Sequence, residues 1–432
     1  MRHCDATDGI DVVVIGAGAA GLATAIFAAR RLPGWSIVAL DGAKKLGAKI
    51  LVAGGGRCNV TNRVVTAADF WGRSRPFIQR VLAAFPVEPT VAFFREIGVE
   101  LHEEEDGKLF PNSNRAQTVL AALLDEAGRR GVRLFTGQRV SAVERSEHGF
   151  RVVAAGTTLT ARHVVLATGG LSLPKTGSDG SGYALAQRLG HTLVPTTPAL
   201  APLVLEGGFH TGLSGVSHEV ELTVTAVGGE SMRLRGSLLW THFGVSGPVV
   251  LNASRHWHRA RLVGHAPAIS VNFLPNDDFD SAQRTLLALA AARPTLVLHN
   301  ALATWLPTRV ADAVLGAIGV DGHTPLAHLA REDRRKVVRA LLAWSLPVRD
   351  SRGYGYAEVT AGGVPLHEVN PRSMASRRCP GLYLVGEILD VDGRIGGFNF
   401  QWAWSSAWVA AAGLAAAGER SRRHRHVQNR ER

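Results

Sequence analysis

The chain has 432 residues, 46% of them hydrophobic and 19% charged, and a formal net charge of +12. That length accommodates two or three domains, and the composition excludes a disordered or fibrous chain. Its three cysteines, Cys4, Cys58 and Cys379, are far apart and form no CxxC pair, which argues against a disulfide framework or a zinc site and suits a reducing cytosol.

No apolar signal core precedes the first predicted strand. Ile10-Asp11-Val12-Val13-Val14-Ile15 is a near-continuous apolar run, as expected of a parallel strand buried on both faces. It leads straight into Gly16-Ala17-Gly18-Ala19-Ala20-Gly21, a GxGxxG, and an Ala-rich helix is predicted from Ala19 to Arg31. Pro33-Gly34 ends that helix, a second strand follows over 36–40, and Asp41 stands 20 residues after Gly21. Strand, glycine turn, helix, strand and acid in this order form the dinucleotide fingerprint. Gly16 makes the turn, Gly18 admits a pyrophosphate, Gly21 lets helix and strand pack closely, and the helix N-terminus favours the phosphate charge. Asp41 accepts from ribose hydroxyls and repels a 2′-phosphate.

Gly54-Gly55-Gly56-Arg57-Cys58-Asn59-Val60-Thr61-Asn62 comes next. Bare backbone followed at once by a guanidinium, a thiol and amides suits close wrapping of a ligand. Helices are expected over 75–85, 89–97 and 115–130, with 107–112 as a turn-rich link. Residues 133–135 read as a short strand, 140–161 as a three-stranded antiparallel meander, and 163–167 as a returning strand ending in Thr168-Gly169-Gly170. The composition changes near Pro195. Residues 203–251 read as strands, and 278–344 as helical with breaks at Pro294, Pro307 and Gly319. Near 357–363 the chain rejoins the first domain. The strand 381–385 runs into Gly386-Glu387, then Asp390, Asp392, Gly396-Gly397, Asn399 and a helix of small residues. The last 14 residues, 419–432, carry six Arg and two Glu and read as a basic disordered tail. Excess positive charge attracts polyanions, although Arg, Ala and Gly enrichment also fits coding composition.

These blocks resemble the YhiN/BaiN-like FAD-dependent oxidoreductases, the aminoacetone-oxidase-like flavoproteins. The resemblance is carried by 16–21, 54–62, 167–170, 176–183, 241–248 and 386–401, and extends to about Gly418. It implies an α/β fold: a Rossmann-like, glutathione-reductase-type FAD-binding domain (1–194 and 357–418) with an inserted β-barrel-like domain (195–277 and 345–356) and a small helical domain (278–344). It also implies FAD contacts from Gly16, Gly18, Ala19, Ala20, Gly21, Asp41, Gly42, Lys49, Gly55, Gly56, Arg57, Cys58, Asn59, Thr61, Asn62, Val140, Thr168, Gly169, Gly170, Gly386, Glu387, Asp392, Gly397, Phe398 and Asn399. Asp41 stands where relatives often carry Glu, and Phe398 where they often carry Tyr.

In such proteins the second Gly-acid motif meets the ribityl chain, which points to Glu387 and Asp392; Asp390 and Asp392 also fit a simple helix cap. The helix starting near Phe398 aims its amides at the flavin O2/N1 edge. Cys58, beside Arg57, is either a proton donor with a lowered pKa or a small residue fitted under the ring. Arg57 either holds a substrate carbonyl or anion, or pairs with Glu387, or holds the loop. His242 is the general-acid candidate of the inserted domain, against the commoner structural role of a lone His. The histidines at 256 and 258 read as surface residues, and Trp240 and Trp257 as base-stacking or core residues. No second nicotinamide fingerprint is present, so NAD(P)H docks transiently or oxygen is the acceptor. Family activities include reduction of uracil in ribosomal RNA, enone reduction and amine oxidation; the positive charge favours the RNA. A flavin-carrying, non-catalytic RNA-binding factor is the remaining reading.

Overall fold

A computed structural model describes residues 9–225 and 231–428, with side chains given up to residue 420. The chain forms two compact units, Met1–Thr196 with Glu358–Arg432, and Thr197–Ala357. Cys4 lies outside the described residues.

The first unit is built on a seven-stranded sheet. Ile10–Ile15 pairs in parallel with Ile37–Leu40 on one side and with the strand Thr157–Leu166 on the other. Arg133–Phe135 extends the sheet beyond Ile37–Leu40. Thr157–Leu166 is one strand of ten residues where the sequence reads as two. Its first half is antiparallel to Gly149–Ala154, completing the predicted meander with Val140–Ser146. Its second half lies parallel to Ile10–Ile15 and to Leu382–Leu384. Burial follows the same division: alternating over the meander half, continuous over Val164–Leu166, which neighbours cover on both sides.

The helix Ala19–Arg31 buries nine consecutive residues, Ala20–Ala28, which is why small residues dominate it. The sheet lies under one face and the last helix, Phe398–Gln428, packs along the other. Trp408 of that helix stacks on Phe85 at 4.7 Å and meets Phe27 edge-on at 5.2 Å. The last helix runs on to Gln428, through residues expected to be a disordered tail, where Glu419 and four Arg favour helix; residues 429–432 lie outside the described residues. Arg75–Ala84 and Val87–Glu96 together are long and apolar enough by composition to cross a membrane. They are nonetheless two helices broken at Phe85-Pro86, and Phe77, Ile78, Val81, Leu82, Phe93 and Phe94 are buried in the core. The predicted link at 107–112 is a strand, Lys108–Pro111, paired with Leu101–Glu104.

The second unit holds an antiparallel seven-stranded sheet whose end strands are Trp344–Leu346 and Val348–Ser351. Only Pro347 separates these two in sequence, so the chain passes directly from one end of the strand order to the other. Pro248–Leu262 is a helix, started by Pro248 at its first position, where the sequence reads as strand up to residue 251. The helices of 279–342 pack on the sheet: Leu286, Val310, Val314, Val337 and Leu341 share one core with Leu222, Val224, Trp240 and Val271. Trp240 is 0% exposed and Trp257 2%, so neither is a base-stacking platform. His256 and His258 are half-buried rather than on the surface; desolvation pulls them down to about 3 and about 4.

Candidate active site

The glycine turn after Ile10–Ile15 is shaped by close backbone approach. A Cβ on Gly16 would lie 2.5 Å from the Ala167 carbonyl oxygen, and one on Gly21 only 1.9 Å from that of Gly16. Around Gly18 the space is open, with no atom within 4 Å of a Cβ built there. The helix opening at Ala19 and Ala20 has no acidic residue in its first turn and no side-chain cap. Its amides and positive dipole end are therefore left for an anion. Asp41 is fixed by two backbone amides, Ala17 N at 2.8 Å to Oδ2 and Ala43 N at 2.8 Å to Oδ1. Each oxygen keeps a lone pair for a ribose hydroxyl. Gly42 lies against Arg139, whose guanidinium is paired with Asp179, and Val140 starts the neighbouring strand.

The loop 54–62 begins inside the helical segment Ala48–Gly56, which leaves helical geometry at Ala53. Gly55 and Gly56 are exposed, with positive φ and nothing close to Gly55. The chain then dives inward: Cys58, Asn59, Thr61 and Asn62 are all buried. Their partners come from the far end of the sequence. Thr61 Oγ1 donates to Gln401 Oε1 at 2.6 Å, Asn62 Nδ2 to Gly396 O at 3.0 Å, and Trp404 Nε1 to Val60 O at 2.9 Å. Gly397 sits so near Thr61 that a Cβ would be 2.4 Å from its carbonyl. Asn399 is committed to the loop, its amide making both hydrogen bonds to the Gly393 backbone. Phe398 is buried at the start of the last helix, which has no acid in its first turn. Asp392, 2% exposed, lies in the two-residue strand Asp392–Gly393 paired with Phe70–Trp71, six residues before the helix and so not its cap.

Glu387 is the hub of a polar cluster. Its Oε2 accepts from Lys49 Nζ at 2.5 Å, and its Oε1 from Ser172 Oγ at 2.7 Å and Thr360 N at 3.0 Å. Gly170 is pressed against the same group, and Gly386 against Ala20 of the first helix. Ser172 and Thr360 went unread in the sequence, although Thr360 lies in the stretch where the chain rejoins the first domain. Arg57 does not pair with Glu387. Its Nη1 donates to Glu104 at 2.6 Å and its guanidinium lies 4.1 Å from the Phe110 ring centre, so it holds the loop to the hairpin 101–111. Arg57 in turn holds the Glu104 carboxyl below its usual range. Cys58 fits the second of its two readings, a small packed residue: it is 0% exposed and burial pushes its thiol up to about 12, while the neighbouring guanidinium turns away to Glu104. It is a neutral, sealed side chain. His242 belongs to the second unit, exposed in the turn between Ser231–Thr241 and Gly244–Ser246, with its ring 5.1 Å from Phe243.

The first unit fits FAD on its own evidence of form. Three buried polar atoms, Asn59 Oδ1, Thr168 Oγ1 and Ser178 Oγ, have no hydrogen-bond partner among the described residues. The Thr168 backbone borders Gly16 while its Oγ1 lies against Gly182, and Ser178 Oγ lies against Gly169. Buried polar atoms normally find partners, so the glycine edge is built to be completed by a polar ligand.

The fold and this edge define a flavoprotein oxidoreductase with a Rossmann-type FAD-binding domain. The chain belongs to the HI0933-like family, whose Rossmann-domain description matches residues 10–413. It is similar to a ribosomal RNA dihydrouridine synthase of Escherichia coli (strain K12), with 36% identity covering 94% of this chain and 98% of that one. It is also similar to a 3-dehydro-bile acid delta(4,6)-reductase of Clostridium scindens, with 34% identity covering 94% and 98%. Among solved structures, the E. coli quinol fumarate reductase chain FrdA shares the fold at TM-score 0.51 and 16% identity, over 95% of this chain and 70% of that one. The chain is an FAD-dependent oxidoreductase.

Proposed function

We propose that this protein reduces the uracil 5,6 double bond of uridine in ribosomal RNA to dihydrouridine, with NAD(P)H as electron donor, in the cytoplasm. The observation that carries this reading is the near-full-length similarity to a ribosomal RNA dihydrouridine synthase. The net charge of +12 agrees with a polyanionic substrate.

FAD supplies hydride transfer. In the reaction one hydride and one proton add across the double bond, and NAD(P)H becomes NAD(P)+. The double bond is polarised by the C4 carbonyl, so the hydride goes to C6 and the proton to C5. The chain's own part is to bind and orient. The first helix turn holds the diphosphate, Asp41 the adenosine ribose, and the Glu387 cluster the ribityl side. Sealed at the loop, Cys58 fills space, and His242, an accessible imidazole, is the acid we assign to the proton.

Mass analysis of ribosomal RNA from a strain lacking the gene tests the substrate. Loss of a dihydrouridine is expected, and unchanged dihydrouridine would count decisively against it. His242→Gln is expected to slow product formation while leaving flavin content and flavin reduction by NAD(P)H unchanged; a normal rate would remove His242 from the mechanism. The second reading is reduction of a small carbonyl-conjugated substrate, favoured by the similarity to the bile acid reductase. Anaerobic reduction by NAD(P)H followed by reoxidation with an enone, but not with RNA, selects it.

A further inference from the structure

Six arginines of the first unit line two neighbouring grooves beside residues 370–380. Residues 370–380 run between the turn Leu366–Glu368 and the strand Leu382–Leu384. This segment is rigidly held. Ser376 Oγ accepts from Cys379 N at 2.8 Å and Arg378 N at 3.0 Å and pairs with His191 Nε2 at 2.8 Å, while Met374 is fully buried. A groove of about 600 Å³ lies on one side, lined among others by Arg80, His367, Asn370, Arg372 and Arg377. A second of about 600 Å³ is lined by Arg145, Arg188 and Arg378, with Glu144. Arg377 and Arg378, consecutive in sequence, line different grooves.

The charge in these grooves is not balanced locally. Arg80, Arg372 and Arg377 are exposed and have no carboxylate partner among the described residues. Arg377 Nε donates to Val369 O at 3.2 Å, which directs its guanidinium without neutralising it. Glu144 is paired with Arg151, and Glu368, which reaches Arg378, is buried beneath the segment. Concave walls with excess positive charge focus the field outward, and guanidinium groups match phosphate oxygens in pairs. Each groove is of the size that seats a nucleotide-sized group.

We propose that these two grooves form the docking surface for the sugar–phosphate backbone of the RNA substrate, with 370–380 as the pre-ordered ridge between them. This rests on the RNA reading above. Phosphates would pair with Arg80, Arg372 and Arg377 in the first groove, and with Arg145 and Arg188 in the second.

The test uses the FAD-loaded full chain and a ribosomal RNA transcript, with binding measured across a salt series. The Arg80→Ala/Arg372→Ala/Arg377→Ala variant is expected to flatten the slope of log affinity against log salt by about 2, since each single-strand phosphate contact contributes about 0.7. Its low-salt affinity is expected to fall tenfold or more, with flavin content unchanged. An Arg284→Ala/Arg293→Ala/Arg331→Ala variant loses the same charge from exposed sites of the second unit and is expected to keep the parent slope. If the two variants behave alike, or the first binds like the parent, the docking surface is wrong. A parent chain that fails to bind the transcript in a salt-dependent way also overturns it. The substrate reading fails separately, through unchanged dihydrouridine in the deletion strain, and the salt slopes are read whatever that strain shows.

Discussion

Gly21→Ala is expected to yield colourless protein. The new Cβ would stand 1.9 Å from the Gly16 carbonyl oxygen and 3.3 Å from the Ala167 Cβ. Neither can retreat, because Gly16 is itself pressed on Ala167 and the strands on both sides are locked in parallel register. The first helix must therefore lift from the sheet. Overpacking of this kind costs about 1–3 kcal/mol of stability, and it displaces the amides that face the diphosphate. Flavin absorbance per protein and a thermal melt check both effects. Gly18→Ala is the companion: its Cβ meets no protein atom, so the melt is expected to be unchanged while FAD affinity falls. A Gly21→Ala protein with a full complement of FAD would refute the assignment of this turn.

Glu368→Ala is expected to cost about 3–5 kcal/mol, the usual loss when one member of a buried charged network is removed. The Glu368 side chain is fully buried and accepts from Thr192 N at 3.0 Å, Thr192 Oγ1 at 2.8 Å and Arg378 at 3.2 Å, and pairs with His191 at 2.8 Å. Burial alone would raise its pKa, but these hydrogen bonds outweigh it and hold the carboxyl at about 2, against an ordinary 4.5. A carboxyl depressed on folding stabilises the fold above its unfolded pKa. The contribution, about 3 kcal/mol at neutral pH, is lost as pH falls from 4.5 toward about 2. Denaturant unfolding of the parent and Glu368→Ala across that range is expected to show the difference shrinking with acid. A difference that stays constant would place the effect in packing rather than charge.

The dinucleotide fingerprint was legible because everything it needs lies within about one βαβ unit, where strand, turn and helix patterns are local. The closing block 386–401 was legible for the same reason. What escaped reading depends on partners far along the chain. Arg57 stands beside Cys58 in sequence, yet its partner Glu104 comes from the strand Leu101–Glu104, whose pairing strand Lys108–Pro111 reads in sequence as a turn-rich link. That contact leaves the thiol without a facing cation, and its burial decides between the two readings of Cys58. Glu387 is legible in the Gly-acid motif, but its ties to Lys49 and Ser172 span 338 and 215 residues. His191 and Glu368 carry no motif at all, and only folding makes them a buried pair. Residues 248–251 misled because a short apolar run does not distinguish strand from helix, and Pro248 decided for helix.

The bonds joining Thr61 to Gln401 and Asn62 to Gly396 bridge 340 and 334 positions. During synthesis the amino-terminal half therefore leaves the ribosome without the segment 396–401 that Thr61 and Asn62 bond. The intervening unit, closed by its own 344–351 corner, has time to fold first. With the loop 54–62 as part of the flavin site, as proposed, flavin capture is expected to be a late, nearly final event in the life of each newly made chain. Stalled chains of increasing length, assayed for flavin retention, are expected to become yellow only once residue 401 has cleared the exit tunnel; earlier retention would contradict this order.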